Sequence, residues 1–129
     1  MKADTREWVR CAEDDYEAAT DLMRRRSKFL PNVVGFHCQQ CVEKYLKARL
    51  EEAGLPIPKV HALTVLLKLL TPVEPLWSTF QPTAKHLTSY AVEFRYPGHI
   101  ATKQDAKVAL KDCRAIRKEV RLSLHLPKK

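Results

Sequence analysis

Residues 36–50, FHCQQCVEKYLKARL, restrict the fold more than any other part of the chain, because at a helical step they show two distinct faces. At about 100° per residue, Val34, Cys38, Cys41, Val42, Tyr45 and Ala48 fall on one side, while His37, Gln40, Lys44 and Lys47 line another. The first side is the buried stripe of a bundle helix. The second sets an imidazole, an amide and two ammonium groups at successive spacings of three, four and three residues. Such a row either binds an anion or is a solvated face, and spacing alone is compatible with both.

Other helices can be laid out around this one. Residues 5–26 read as a first helix with Trp8, Ala12, Tyr16, Ala19, Leu22 and Met23 on one stripe. Its acidic residues crowd the early and middle turns and Arg24, Arg25 and Arg26 close it, an order that complements the helix macrodipole. Asp15 falls inside the apolar stripe. An ionised carboxylate there is costly unless paired, so the polar row of the central helix is expected to supply its partner, in a structural or a functional role.

Pro31 and Asn32 punctuate the connection to the central helix, 33–53, which Gly54 ends in the left-handed conformation before Pro56 and Pro58. A third helix, 61–70, carries Leu63, Leu66, Leu67 and Leu70 on one face, with His61 read as a helix-start residue bonded to a local backbone group. Residues 72–82 are turn-rich and bring Trp77 and Phe80 over one end of the structure. A fourth helix, 83–94, buries Leu87, Tyr90, Ala91 and Phe94 and is stopped by Pro97-Gly98. Thr102 and Asp105 form a capping box that opens a fifth helix with Ala106, Ala109, Cys113, Ile116, Val120 and Leu124 on its core stripe. The expectation is an all-α, up-and-down, mostly antiparallel bundle of about five helices. At 129 residues it forms one domain, 1–129.

No apolar run approaches the roughly 20 residues that cross a bilayer, and the start MKADTREWVR lacks the core of a secretory signal. A cytoplasmic protein with no membrane contact and reduced cysteines is expected. Charge is unevenly spread. Residues 1–94 carry 13 basic and 12 acidic side chains, whereas residues 95–129 carry 10 and 3. On the fifth helix Lys103, Lys107, Lys111, Arg114, Lys118 and Arg121 fall within about 80° of arc, away from Asp105, Asp112 and Glu119. Six like charges in a row repel one another, so the row is either a solvated face or a surface for phosphates or an acidic partner.

Gln39, Gln40, Glu43, Lys44, Leu46, Lys47, Ala48 and Leu50 resemble the QQ-x-x-EK-x-LKA-x-L signature of the HEPN family, small helical domains. Three further stretches are similar to elements of that family in the same order. They are Ala12 with Asp15 and Tyr16, then Val60-His61-Ala62-Leu63 with Leu66 and Leu67, and Glu93-Phe94-Arg95-Tyr96-Pro97. The resemblance implies a homodimer, for which Phe36, lying off the apolar stripe, suggests a second contact surface. It also implies a subunit that binds nucleotide or RNA and acts with a separately encoded minimal nucleotidyltransferase in a toxin–antitoxin-like pair. His37, Gln40, Lys44 and Lys47 then face a pocket with Arg95 nearby, and the basic last helix meets the partner or the nucleic acid.

Ribonuclease members of the family use an Arg and a His separated by four to six residues, the His handling the proton of the attacking 2′-hydroxyl and the Arg holding the phosphate. Arg95 and His99 are the corresponding catalytic candidates, but only three residues lie between them and Pro97-Gly98 indicates a turn. They are therefore expected to be splayed apart. The alternatives are a metal-independent endoribonuclease toxin and a non-catalytic helical scaffold. Cys38-x-x-Cys41 with His37, Cys11 and Cys113 raises zinc, but Cys38, Cys41 and Cys113 sit on apolar stripes and read better as small core residues. Gly-rich phosphate loops and paired catalytic carboxylates are absent, so no metal and no cofactor are assigned.

Overall fold

A computed structural model describes residues 1–128, the side chain of Arg95 excepted. The chain forms five α-helices: α1 (Ala3–Met23), α2 (Pro31–Glu52), α3 (Leu63–Leu70), α4 (Gln81–Val92) and α5 (Lys103–Ser123). Two short 3₁₀ turns, Pro75–Phe80 and Glu93–Arg95, flank α4, and there is no strand among the described residues. No helix of the described residues is long and apolar enough to cross a membrane.

The central element is α2, which packs against each of the other four helices. All six residues of its expected stripe, Val34, Cys38, Cys41, Val42, Tyr45 and Ala48, are fully buried. Its end is set as the sequence dictates. Gly54 takes φ +70°, and the Leu55 and Gly54 N–H groups donate to the carbonyls of Leu50 and Glu51, capping the helix with a left-handed residue that only glycine adopts cheaply. At the start of α5 both hydrogen bonds of the capping box form. The Asp105 N–H donates to the Thr102 hydroxyl at 3.1 Å, and the Thr102 N–H donates to the Asp105 carboxylate at 2.8 Å.

Long-range contacts fix the helix directions. Lys2 and Thr5 meet Glu52 while Asp15 meets His37, so α1 and α2 are antiparallel. Arg117 meets Glu13 and Arg114 meets Tyr16, which makes α1 and α5 antiparallel as well. Consequently α2 and α5 run parallel, with Asn32 at Ala101 and Arg49 at Ser123. The α3–α4 segment returns the chain between them.

Some boundaries shift. The first helix ends at Met23, not at the expected Arg26, and Arg24 and Arg25 turn away from it before Lys28 adopts a left-handed φ of 52°. The third helix begins at Leu63, whose N–H is capped by the Thr88 hydroxyl at 3.1 Å, and not at His61. Trp77 is buried in the 3₁₀ turn over the bundle end, as expected, but the turn runs directly into α4, whose Pro82 occupies a first-turn position where its missing N–H costs nothing.

One tight contact joins α2 and α4. A Cβ added at Gly35 would lie 2.1 Å from Cδ1 of Tyr90, so the aromatic ring rests directly on the α2 backbone. Tyr90 is fully buried there and stacks on Phe94 at 4.6 Å between centroids. Burial, with carboxylates nearby, pushes its phenol up to about 12, so it stays neutral. Gly35→Ala forces this ring out of place and is expected to destabilise the fold by about 3 kcal/mol. Urea unfolding monitored by circular dichroism checks it, and a loss below about 1 kcal/mol would show that the crossing adapts freely.

Candidate functional site

The polar row of α2 divides into two networks. In the first, Asp15 of α1 lies between an imidazole and an ammonium group of α2. Its carboxylate accepts from His37 Nδ1 at 2.8 Å and from Lys44 Nζ at 2.5 Å. Burial opposes ionisation of Asp15, but the hydrogen bonds and charges of His37 and Lys44 outweigh it and hold the carboxyl below its ordinary range. The partner expected for Asp15 is therefore present, and it is double. The Asp15 side chain is only 10% exposed, whereas His37 and Lys44 retain 27% and 26%, so the positive side of the cluster is the side that reaches solvent.

The second network centres on Glu43, which is 4% exposed. Lys47 Nζ donates to it at 3.0 Å, His61 Nδ1 lies 2.9 Å away, and the Gln39 amide donates at 3.1 Å and also to the His61 carbonyl at 2.9 Å. Gln40 extends this second network, donating to the Gln39 side chain at 2.7 Å. Lys47 thus points inward, buried against Glu43 and 5.7 Å from the Trp8 ring, unlike the half-buried Lys44. His61 differs from its expected backbone partner, since its ring bonds the Glu43 carboxylate while its carbonyl is held by Gln39.

The row on α5 also splits. Lys103, Lys107, Lys111, Arg114 and Lys118 are exposed, but Arg121 is buried and donates to the Tyr45 hydroxyl at 2.9 Å and to the Pro127 carbonyl at 2.8 Å. Tyr45 in turn donates to Glu13, which also holds Arg117 through two bonds of 2.7 Å. Burial disfavours a charge on Glu13, yet Arg117 and Tyr45 keep its carboxyl below the ordinary range. This seam ties α1, α2 and α5 together.

Arg95 belongs to the 3₁₀ turn after α4, and its side chain lies outside the described residues, so the expected splaying from His99 does too. His99 is exposed, its ring edge-on to Phe94 with 6.5 Å between centroids. The loop carrying both residues is held by a side chain that sequence reading treated only as punctuation. The Asn32 amide donates to the carbonyls of Phe94 and His99 at 3.1 and 2.9 Å, and its oxygen accepts from the Ala101 N–H at 2.7 Å. A hollow lined by Asn32, Val33, Phe36, Tyr90 and Phe94 opens beside it. A different hollow, lined by Asp4, Glu7, Trp8, Cys11 and Glu51, carries carboxylates and is unsuited to an anion.

Cys38, Cys41 and Cys113 are fully buried in the core, and burial holds the Cys41 thiol well above its ordinary value. Among the described residues no group of three or more His, Cys, Asp or Glu is arranged to hold a metal ion.

Two substitutions separate the networks. Glu43→Ala strands a buried ammonium and is expected to cost about 3–5 kcal/mol, more than Asp15→Asn at about 1–3 kcal/mol, because His37 and Lys44 can turn to solvent. Asp15 and Glu13 both have folded values below their unfolded ones. The stability they contribute is thus present above about pH 4 and is lost as pH falls through the folded values. Urea titrations at pH 7 and pH 3 should show wild type losing about 1 kcal/mol more than Asp15→Asn over that interval. Equal losses would mean that Asp15 is not ion-paired in solution.

A comparison with curated proteins and one with solved structures each return no match. The family model described as HEPN domain matches residues 5–123, from the third residue of α1 to the last of α5. That span takes in Asp15, both networks of α2, the Asn32-clamped loop and the basic helix, and the chain belongs to the HEPN family.

Proposed function

We propose that this chain is a HEPN subunit that binds nucleotide or RNA through His37, Gln40, Lys44 and Lys47 with Arg95, and that it acts with a separately encoded minimal nucleotidyltransferase in a toxin–antitoxin-like pair. The observation that carries the reading is the Asp15 cluster. One nearly buried carboxylate fixes an imidazole and an ammonium group whose outer sides remain accessible, which is how a protein preorganises hydrogen-bond donors and positive charge for a phosphate without leaving them mobile. Lys47 contributes from the inside, by holding Glu43 and through it Gln39 and Gln40. Calorimetric titration with ATP and with a short single-stranded RNA tests this. Lys44→Ala and Arg95→Ala are expected to weaken binding of either about tenfold. Unchanged affinity in both variants would remove α2 from the site.

A homodimer completes the reading. Leu30, Val33, Tyr96 and Ile100 are exposed apolar residues at 40%, 38%, 66% and 82%, and the Asn32 bonds bring their two segments together beside the hollow under Phe36 and Phe94. A second copy covering this face removes apolar surface from water. Light scattering should give about twice the 14.9 kDa chain mass, and Ile100→Asp should reduce it to one chain. A dimer that survives Ile100→Asp would place the contact elsewhere.

The endoribonuclease reading is favoured by one observation, the Asn32 clamp, which gives His99 a fixed backbone position next to Phe94. The shortened spacing and the turn at Gly98, with φ of 93°, weigh against it. His99→Ala is therefore expected to leave any RNA cleavage or growth inhibition unchanged, and abolition of cleavage by that variant, with the fold intact, would establish the nuclease instead. A nucleotidyltransferase gene beside this one supports the pair. Without such a neighbour, the non-catalytic scaffold takes its place.

A further inference from the structure

Two basic segments far apart in sequence form one surface. Three contacts align α1 and α5 in opposite directions: Arg117 with Glu13, Arg114 Nε with the Tyr16 hydroxyl at 3.1 Å, and Lys103 Nζ at 5.4 Å from the Phe29 ring. The last of these brings the start of α5 against the turn that follows α1. Arg25, Arg26 and Lys28 of that turn are exposed, and so are Lys103, Lys107, Lys111, Arg114 and Lys118. Arg24, by contrast, is spent on Asp21 at 3.1 Å, and Arg121 turns inward.

None of these eight cations has an ion-pair partner among the described residues, although most of the interior cations do. The nearest acids in sequence are occupied or turned away. Asp105 is committed to its cap, and Asp112 and Glu119 lie on the other flank of α5. An unneutralised row of this kind is self-repulsive and gains most from a partner that supplies many anions at once.

We infer that this α5–turn surface binds the phosphate backbone of a double-stranded nucleic acid, without reading its sequence. From Lys103 to Lys118 the row is about 22 Å long, and a duplex carries one charge per about 1.7 Å, so every cation of the row finds a phosphate. There is no aromatic residue in α5 on which an unpaired base could stack, which disfavours a single strand. Four of the five row cations are lysines, which act as point charges and not as bidentate readers of base edges. An acidic protein is the weaker candidate, because the row is mostly lysine and offers no aromatic anchor of the kind on which protein interfaces depend. The surface is separate from the Asp15 cluster and does not require it.

Fluorescence anisotropy with a labelled 20-base-pair RNA duplex and a DNA duplex of matching sequence, measured over a range of salt, tests the inference. Six to eight phosphate contacts predict a log–log salt slope of about −5 to −7, similar for the two duplexes. Lys107→Ala/Lys111→Ala should make the slope shallower by about 2 and weaken binding at least tenfold, with the thermal melt unchanged. Lys68→Ala/Lys85→Ala, which removes two exposed cations elsewhere, should change neither. Three outcomes would overturn the inference: no duplex binding at low salt, equal effects of the two double variants, or tighter binding of poly-L-glutamate than of either duplex. A tenfold preference for one duplex type would overturn the phosphate-only mode. Lys44→Ala is expected to leave the slope intact, so mononucleotide binding unchanged in that variant, with duplex binding retained, would count against the α2 site alone.

Discussion

An ionised group taken out of water must meet a counter-charge, and the architecture of this chain follows from having several such groups on or against its central helix. Because α2 touches four other helices, it has little solvent face left for the polar residues of its sequence. Three buried or half-buried carboxylates therefore each anchor a different neighbour. Asp15 ties α1 to His37 and Lys44, Glu43 ties α2 to the segment before α3 through His61, and Glu13 with Tyr45 ties α1 and α2 to Arg117 and Arg121 of α5. Such pairs add less net stability than an apolar core of the same volume. What they supply is discrimination, since a helix rotated or shifted by one turn leaves a charge unpaired at a cost of several kcal/mol.

Periodicity alone carried the fold a long way. The apolar stripe of α2, the leucine face of α3, the stripe of α5, the Gly54 stop and the Thr102 capping box all depend on residues within a few positions of one another, and local spacing determines them. The need for a partner at Asp15 was legible for a similar reason, because an acid inside an apolar stripe has few options. What spacing could not resolve was the direction of long side chains at the border between two faces. Lys44 and Lys47 sit one turn apart, yet one emerges beside Asp15 and the other is drawn in by Glu43 and Trp8. The i, i+4 relation of Glu43 to Lys47 was in the sequence and signals that pairing. Arg121 has no comparable local signal, since its partner Tyr45 is 76 residues away. The same holds for Asn32, whose three bonds to residues 94–101 join parts of the chain that no local pattern relates, and for the ring of Tyr90 on Gly35.

Charge balance links the interior to the outside. The acids of α1 and α2 are largely consumed in pairing with Arg10, Lys44, Lys47, Arg117 and structural hydrogen bonds, which leaves the cations of the α1 turn and the outer face of α5 without internal partners. Of the formal net charge of +8, residues 95–129 carry +7, much of it on the outer face of α5. Internal pairing and external field are two aspects of one distribution: had Glu13 faced outward, it would have neutralised the α5 row and left Arg117 stranded.

The first half of α2 controls two features that sequence similarity associates with function. His37 and Lys44 are set by Asp15 on the α1 side, while Asn32, five residues before His37, sets the loop of Arg95 and His99 on the α4 side. Neither arrangement is self-supporting. The loop is stapled at three points by a single amide, and the imidazole and ammonium of the cluster would lose their common partner without the carboxylate between them. Both depend on the helix keeping its rotation about its own axis, and that rotation is limited by the ring of Tyr90 against Gly35, where the ring leaves no room for a side chain on α2. A glycine with no chemistry of its own therefore holds the cationic cluster and the clamped loop in register, and a close helix crossing is rigid enough to do so because displacing a buried aromatic ring by even an ångström sacrifices contacts on every side.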